Sequence, residues 1–192
     1  MTVDGMEGVE AYAVASRQLQ TACDFADRWG FTRAYGSYEE MLDDEEVELV
    51  YIATPHSHHF EHARMSLLKG KAVLCEKAFT ANARQAEELL NLAKEKELFI
   101  TEAIWTRYMP LSHTINDLVT SGIIGRPMTL SANLGYPIGN RERLRQPALA
   151  GGALLDLGEY ALNFASMVFG TEVERVTSTC VKTDTGVDAQ NS

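Results

Sequence analysis

Val73-Leu74-Cys75-Glu76-Lys77-Ala78 decides how the chain is read. A short apolar run stops at a carboxylate and an ammonium. Continuous apolar runs suit strands covered on both faces, as in parallel sheets. The same plan recurs on either side. Val9 to Ala15 ends in Ser16-Arg17. Val47 to Ala53, broken only by Glu48, ends in Thr54-Pro55-His56. Leu98-Phe99-Ile100-Thr101 leads to Glu102, with Trp105 and Arg107 just beyond.

Helical patterns lie between these runs. Leu19, Ala22, Cys23, Ala26 and Trp29 recur at helical spacing, with Ser16 as N-cap and Gly30 as stop. Ser37 opens a short helix through Met41 and Leu42. Phe60, Ala63, Leu67 and Leu68 mark one face of the next, which stops at Gly70. Asn82, with Gln85 three residues on, forms a capping box for a helix burying Ala86, Leu89, Leu90 and Ala93. Pro110 fits a first helical position, and Gly122 fits a C-cap. Strands alternating with helices of this length mean βαβ units and a partial Rossmann-type, doubly wound parallel sheet over residues 1–122. The pattern then changes. Arg126 to Leu134 reads as a longer alternating strand, Gly135 to Gly152 as loop, Leu154 to Val168 as helix and Val173 to Val181 as strand. Residues 123–192 therefore read as the start of an α+β domain with a mostly antiparallel sheet.

In open α/β sheets, ligands bind outside the carboxyl ends of the strands. Four consecutive strand ends carrying polar or reactive residues imply one crevice; the plainer alternative is that strand ends are simply polar. After the first strand, an acidic residue would bind a ribose 2′-hydroxyl, whereas Arg accommodates a 2′-phosphate. Ser16-Arg17 leans to NADP, unless the two serve only as a cap and a solvated first-turn residue. Lys77 is a candidate cation beside a reacting hydroxyl, or half of a surface pair with Glu76. Asp156 and Tyr160 are four apart and share a helix face. They follow Gly151-Gly152, which allow another element to approach closely. A Tyr beside a Lys can give and take an alcohol's proton, the ammonium lowering the phenol's pKa. Tyr160 could equally be an amphipathic core residue.

The 192 residues carry a net charge of −10, which argues against nucleic-acid and anionic-membrane partners. The excess is largely one acidic patch from Glu39 to Glu48. Three separated cysteines form no C-x-x-C, giving neither disulfide framework nor zinc knuckle and fitting a reduced, cytoplasmic setting. Four of the five histidines lie at His56, His58, His59 and His62. They approach an H-x-H-x-D-H metal pattern, but Phe60 occupies the Asp position, so no metal is assigned.

With these residues in hand, the chain resembles the Gfo/Idh/MocA family of NAD(P)-dependent oxidoreductases, within it the dihydrodiol and sugar dehydrogenase branch. The matching segments are Ala13–Arg17, Ala34–Glu40, Tyr51–Pro55, Val73–Lys77, Glu102–Tyr108 and Gly151–Gly158. The resemblance implies a dinucleotide-binding domain followed by a substrate and dimerisation domain. It implies hydride transfer between NADP, or NAD, and a hydroxyl-bearing carbon of a sugar or trans-dihydrodiol, in a homodimer. Tyr160 would be the general acid/base, Lys77 would tune it and orient the hydroxyl, and Asp156 would support the site. Trp105, Arg107 and Arg143 would line the substrate pocket, with Trp105 and Arg107 also reaching the cofactor. Thr54, Pro55, His56, His59 and Glu76 would border the nicotinamide and its ribose, with Ser16 and Arg17 at the adenosine end.

Three departures follow. No G-x-G-x-x-G precedes Val9, and the chain stops at Ser192 where further strands of the second domain are expected, so it reads as truncated at both ends. Little activity is then expected of the chain alone. Ala78 stands where the family has Pro, and a cis bond before Ala costs about 3–4 kcal/mol, so a trans bond after Lys77 is expected. The rival to the enzyme is a non-catalytic paralogue or fragment acting as a binding or interaction module.

Overall fold

Short apolar runs become short parallel strands, each returned to the next by a helix. The computed structural model describes residues 5–137 and 139–192. The order is β1 (Ala13–Ala15), α1 (Leu19–Trp29), β2 (Arg33–Tyr35), α2 (Tyr38–Leu42), β3 (Leu49–Ile52), α3 (His56–Leu68), β4 (Ala72–Cys75), α4 (Ala83–Glu95) and β5 (Ile100–Glu102). A 3₁₀ turn (Trp105–Tyr108) leads into α5 (Pro110–Thr120). Then come α6 (Glu142–Arg145), a 3₁₀ turn at Pro147–Leu149, a π turn at Leu154–Gly158, α7 (Glu159–Phe169), β6 (Cys180–Lys182) and β7 (Asp188–Asn191).

Local chemistry sets many boundaries. The Ser37 hydroxyl accepts from the Glu40 amide at 3.2 Å. Asn82 accepts from the Gln85 amide at 3.1 Å, and Gln85 reaches back to the Ala81 amide at 3.2 Å. Gly30 closes α1 at φ 76°, a left-handed turn that glycine adopts without steric cost. α1 itself starts later than expected. Gln18 is its N-cap without a side-chain bond, and Ser16 instead extends the strand, its amide donating to the Tyr35 carbonyl at 3.1 Å. At the end of α5, Ser121 and not Gly122 is the C-cap.

The strands form two separate parallel sheets, β1-β2 and β3-β4-β5. In the larger, Val50 pairs with Val73, and Val73 with Ile100. α3 and α4 pack on the same face of this sheet, where Leu67, Leu89, Val73 and Cys75 are 0% exposed. The coverage is one-sided: along β3 burial alternates, with Val50 and Ile52 inside while Leu49 and Tyr51 face out. Leu68 and Leu90 also lie outside the core, each one residue past the buried Leu67 and Leu89. One residue is about 100° of helix rotation, enough to leave the stripe.

The second part departs further from its sequence pattern. Arg126–Leu134 forms no strand, and Val173–Val181 pairs only at its end, from Thr179 onward, antiparallel to the segment 188–192. Among the described residues, no strand lies beside Arg126–Leu134 to complete a ladder, and a strand's backbone groups need one. The helix expected from Leu154 opens as a π turn. The Lys77–Ala78 peptide is cis, correcting the trans expectation. Tertiary bonds hold the peptide that follows it: the Ala78 carbonyl lies 2.7 Å from His59 Nδ1, and the Phe79 amide donates to Glu102 Oε1 at 2.7 Å. Among the described residues no helix is long and apolar enough to cross a membrane.

Candidate active site

The carboxyl ends of β3, β4 and β5 lie side by side. The Glu76 amide donates to the Ile52 carbonyl at 2.8 Å, and the Ala103 amide to the Cys75 carbonyl at 2.7 Å. Lys77 therefore leaves the middle of the sheet edge. Its expected rival partner, Glu76, is engaged otherwise: that carboxylate accepts from the Tyr51 hydroxyl and, at 3.2 Å, from the Lys77 amide. The lysine side chain turns to the second part of the chain.

There the π turn presents Asp156. It can do so because Gly151 and Gly152 let neighbours close in. A Cβ at Gly151 would lie 2.4 Å from the Leu144 carbonyl oxygen, and one at Gly152 1.9 Å from Asp188 Oδ1. Asp188 also accepts from the Leu154 amide at 2.6 Å, tying the turn to β7.

Lys77 Nζ donates to the Asp156 carbonyl at 2.5 Å and to Asp156 Oδ1 at 3.3 Å. It sits 5.1 Å from the centroid of the Tyr160 ring, within cation–π range. Asp156 is 5% exposed, and Arg143 Nη2 donates to its Oδ1 at 3.2 Å. A buried carboxylate needs such partners, because an unpaired buried charge is costly. Trp105 Nε1 donates to the Tyr160 hydroxyl at 2.9 Å, the rings meeting edge to face.

His56 joins this group. Its Nδ1 lies 3.0 Å from the Ala150 carbonyl and its Nε2 3.9 Å from Asp156 Oδ1. Burial, above all, holds its pKa below the ordinary imidazole value. Burial pushes the Cys75 thiol up to about 12, which makes it an inert core group.

The structure thus brings Lys77, Asp156, Tyr160, Trp105, Arg143 and His56 together. The other candidate residues lie around them. His59 is 0% exposed, with Nδ1 on the Ala78 carbonyl and Nε2 2.8 Å from the Thr54 carbonyl. It acts as a bracket between two strand ends. Thr54 bonds His62 Nδ1 at 3.1 Å, and Pro55 is the N-cap of α3. Arg107 reaches along α7, donating to Asn163 and Ser166 at 3.2 Å each. Ser16 and Arg17 stand at the end of β1 in the other sheet, Arg17 exposed.

Sequence reasoning passed over Glu159. Its Oε1 lies 3.6 Å from Lys77 Nζ. Burial, opposed by Lys77 and reinforced by Glu102 and Asp156, lifts its pKa to about 8. The signal was available, since Asp156 and Glu159 are three apart and share a helical face.

The profile described as "Oxidoreductase family, NAD-binding Rossmann fold" matches residues 3–103, and the "GFO/IDH/MocA C-terminal domain" matches residues 112–192. A trans-1,2-dihydrobenzene-1,2-diol dehydrogenase of Danio rerio is 38% identical over 180 residues, 93% of this chain and 54% of its own length. A D-xylose 1-dehydrogenase (NADP(+)) of Hypocrea jecorina is 46% identical over 142 residues, 69% of this chain and 36% of its own. The chain spans about half the length of the dihydrodiol dehydrogenases it matches. Among solved structures, a 3-ketoreductase from Actinomadura kijaniata in complex with NADP superposes with a TM-score of 0.84 at 28% identity, covering 98% of this chain and 57% of its own. A levoglucosan dehydrogenase in complex with NADH and levoglucosan gives 0.71 at 25%, covering 83% and 45%. Both parts of the chain, with the parallel sheet and the strand-end residues described above, place it in the Gfo/Idh/MocA family of oxidoreductases.

Proposed function

We propose that the Lys77 cluster is the hydroxyl-handling site of an NADP-preferring dehydrogenase acting on a sugar or trans-dihydrodiol. The observation that carries this reading is the Lys77 ammonium over the Tyr160 ring, with Asp156 and Arg143 behind it. The names of the relatives, one of them NADP-dependent, support the substrate class and the cofactor.

The donor set fits the two ends of a dinucleotide. Arg17 with Ser16 offers a guanidinium and a hydroxyl beside β1, suited to a ribose 2′-phosphate. At the other end Glu76, Lys77, Thr54 and His56 would border the nicotinamide ribose. When bound, the nicotinamide supplies the hydride acceptor or donor. The chain's own residues do the rest. Tyr160 Oη takes the substrate hydroxyl's proton on oxidation and returns it on reduction. Trp105 Nε1 donates to that oxygen and so stabilises the phenolate. Lys77 places positive charge beside the same ring, and Asp156 keeps the ammonium aimed. Trp105 and Arg143, about half exposed, face the space a substrate would fill. The same reading takes the protein to be a cytoplasmic homodimer, a state consistent with the apolar side chains exposed beyond residue 122.

Those side chains favour a second reading, a binding module without turnover. A substrate panel separates the two. The 192-residue chain is assayed for nicotinamide reduction on sugars and diols, beside a chimera extended at both ends with the matching segments of the Danio rerio relative. The chimera is expected to turn over at least one substrate. Tyr160→Phe and Lys77→Met should each lower kcat about 10²–10⁴-fold, the range for a positioned acid or base. Full rate in both variants would reject the role assignments, and no turnover by either protein would favour the binding module.

A further inference from the structure

Glu159 begins α7, one residue before Tyr160. Its side chain is 16% exposed, and its Oε1 is buried with no hydrogen-bond partner among the described residues. A buried polar atom left without a partner calls for an explanation. Three charged groups face it from the elements packed around it. Lys77, after β4, attracts it at 3.6 Å. Glu102, at the end of β5, and Asp156, on the preceding π turn, oppose its ionisation. Arg143 bonds Asp156, and the Tyr160 hydroxyl bonds Trp105, so neither is the partner of this carboxyl. Desolvation and two like charges both favour the neutral acid, against one ammonium. The balance keeps a proton on Glu159 up to about pH 8.

We propose that Glu159 is a positioning residue for Lys77: by holding or releasing one proton, it decides whether Asp156 alone or two carboxylates hold the ammonium. Protonated, Glu159 is a neutral neighbour, and Nζ stays on Asp156 and over the Tyr160 ring. Ionised, with its proton passed to solvent, it offers Nζ a second anion, 3.6 Å away. The ammonium is then drawn off the ring, and less positive charge remains beside the phenol. The site loses its lysine geometry as pH rises through the Glu159 midpoint. The effect on turnover rests on the dehydrogenase reading above; the proton-dependent geometry does not.

Two nuclei test this in the 192-residue chain. Glutamate carboxyl carbons and lysine Nζ are labelled and followed by NMR from pH 5 to 10, with signals assigned through bonds to the backbone. Glu159 is expected to titrate near pH 8, well above the surface glutamates, and Lys77 Nζ should shift with the same midpoint. In Glu159→Gln that Lys77 shift should vanish. A Glu159 midpoint in the ordinary carboxylate range, or a Lys77 signal blind to it, overturns the proposal. Because the wild-type titration decides on its own, a Gln variant that failed to fold would not remove the test. In the chimera, kcat should fall above about pH 8 in wild type and hold level in Glu159→Gln. Absence of turnover throughout would sink the dehydrogenase reading and leave the titration result standing. Turnover with an ordinary Glu159 midpoint would do the reverse.

Discussion

Residues 47–102 bury Leu67, Val73, Cys75 and Leu89 completely, whereas residues 123–181 leave Ile123, Met128, Val173 and Val176 exposed at 73, 76, 67 and 79%. Both stretches are rich in β-branched and apolar residues. In the first, each strand has a parallel neighbour, and two helices return to one face. In the second, the alternating run Arg126–Leu134 has no strand beside it among the described residues. An apolar pattern states which face a strand would bury. Whether it becomes a strand depends on a partner for its amides and carbonyls, which the pattern does not encode.

The sharpest way to break this contrast is by truncation on either side of it. Leu67→Ala should cost about 2–5 kcal/mol, since it removes a fully buried side chain. Val176→Ala should change stability by less than about 0.5 kcal/mol, since little is buried to lose. Urea unfolding of both variants measures the difference, and equal losses would mean that the second stretch is packed as tightly as the first.

A smaller effect should come from the bolt between the two stretches. His56, at the start of α3, bonds the Ala150 carbonyl across the crevice. Burial lowers its pKa, so the folded protein resists protonating it. The unfolded chain takes up a proton near pH 6.5, the ordinary imidazole value. Stability from neutral His56 is therefore complete above that pH and lost as pH falls below it toward the folded value. Between pH 7.5 and 5.5 the urea midpoint of wild type should drop further than that of His56→Gln. An equal drop would mean that the ring is no more buried than in the unfolded chain.

A small effect is also expected at Arg145, which pairs with Asp184 at 2.7 and 2.8 Å on exposed side chains. Arg145→Ala should cost about 0.2–1 kcal/mol, less in high salt. A larger loss would show that this surface clasp, more than the Leu154–Asp188 bond, holds β6-β7 to the preceding segment.

The parallel sheet and the lysine site were legible for the same reason. Apolar runs ending in Thr54, Glu76 and Glu102 mark the strand ends, and the four-residue step from Asp156 to Tyr160 puts both on one face. Their meeting with Lys77 required the family resemblance, because nothing in local pattern brings residues 79 apart into contact. The cis bond after Lys77 was illegible: the partners of the peptide that follows it, His59 and Glu102, are both distant in sequence. Glu159 was missed because a Glu at a helix start ordinarily reads as solvated and favourable to the helix dipole. Its side chain instead turns inward to Lys77, 3.6 Å away and distant in sequence.

The two glycines before Asp156 carry a consequence for any library of variants. At Gly152 the Asp188 carboxylate occupies the space of a side chain, and at Gly151 the backbone of α6 does so. At Gly139, by contrast, nothing among the described residues lies within 4 Å of where a Cβ would sit. In a saturation screen, positions 151 and 152 should collapse to a single letter while position 139 accepts many. Tolerance alone, scored without substrate or cofactor, would then outline the wall against which the lysine site is built.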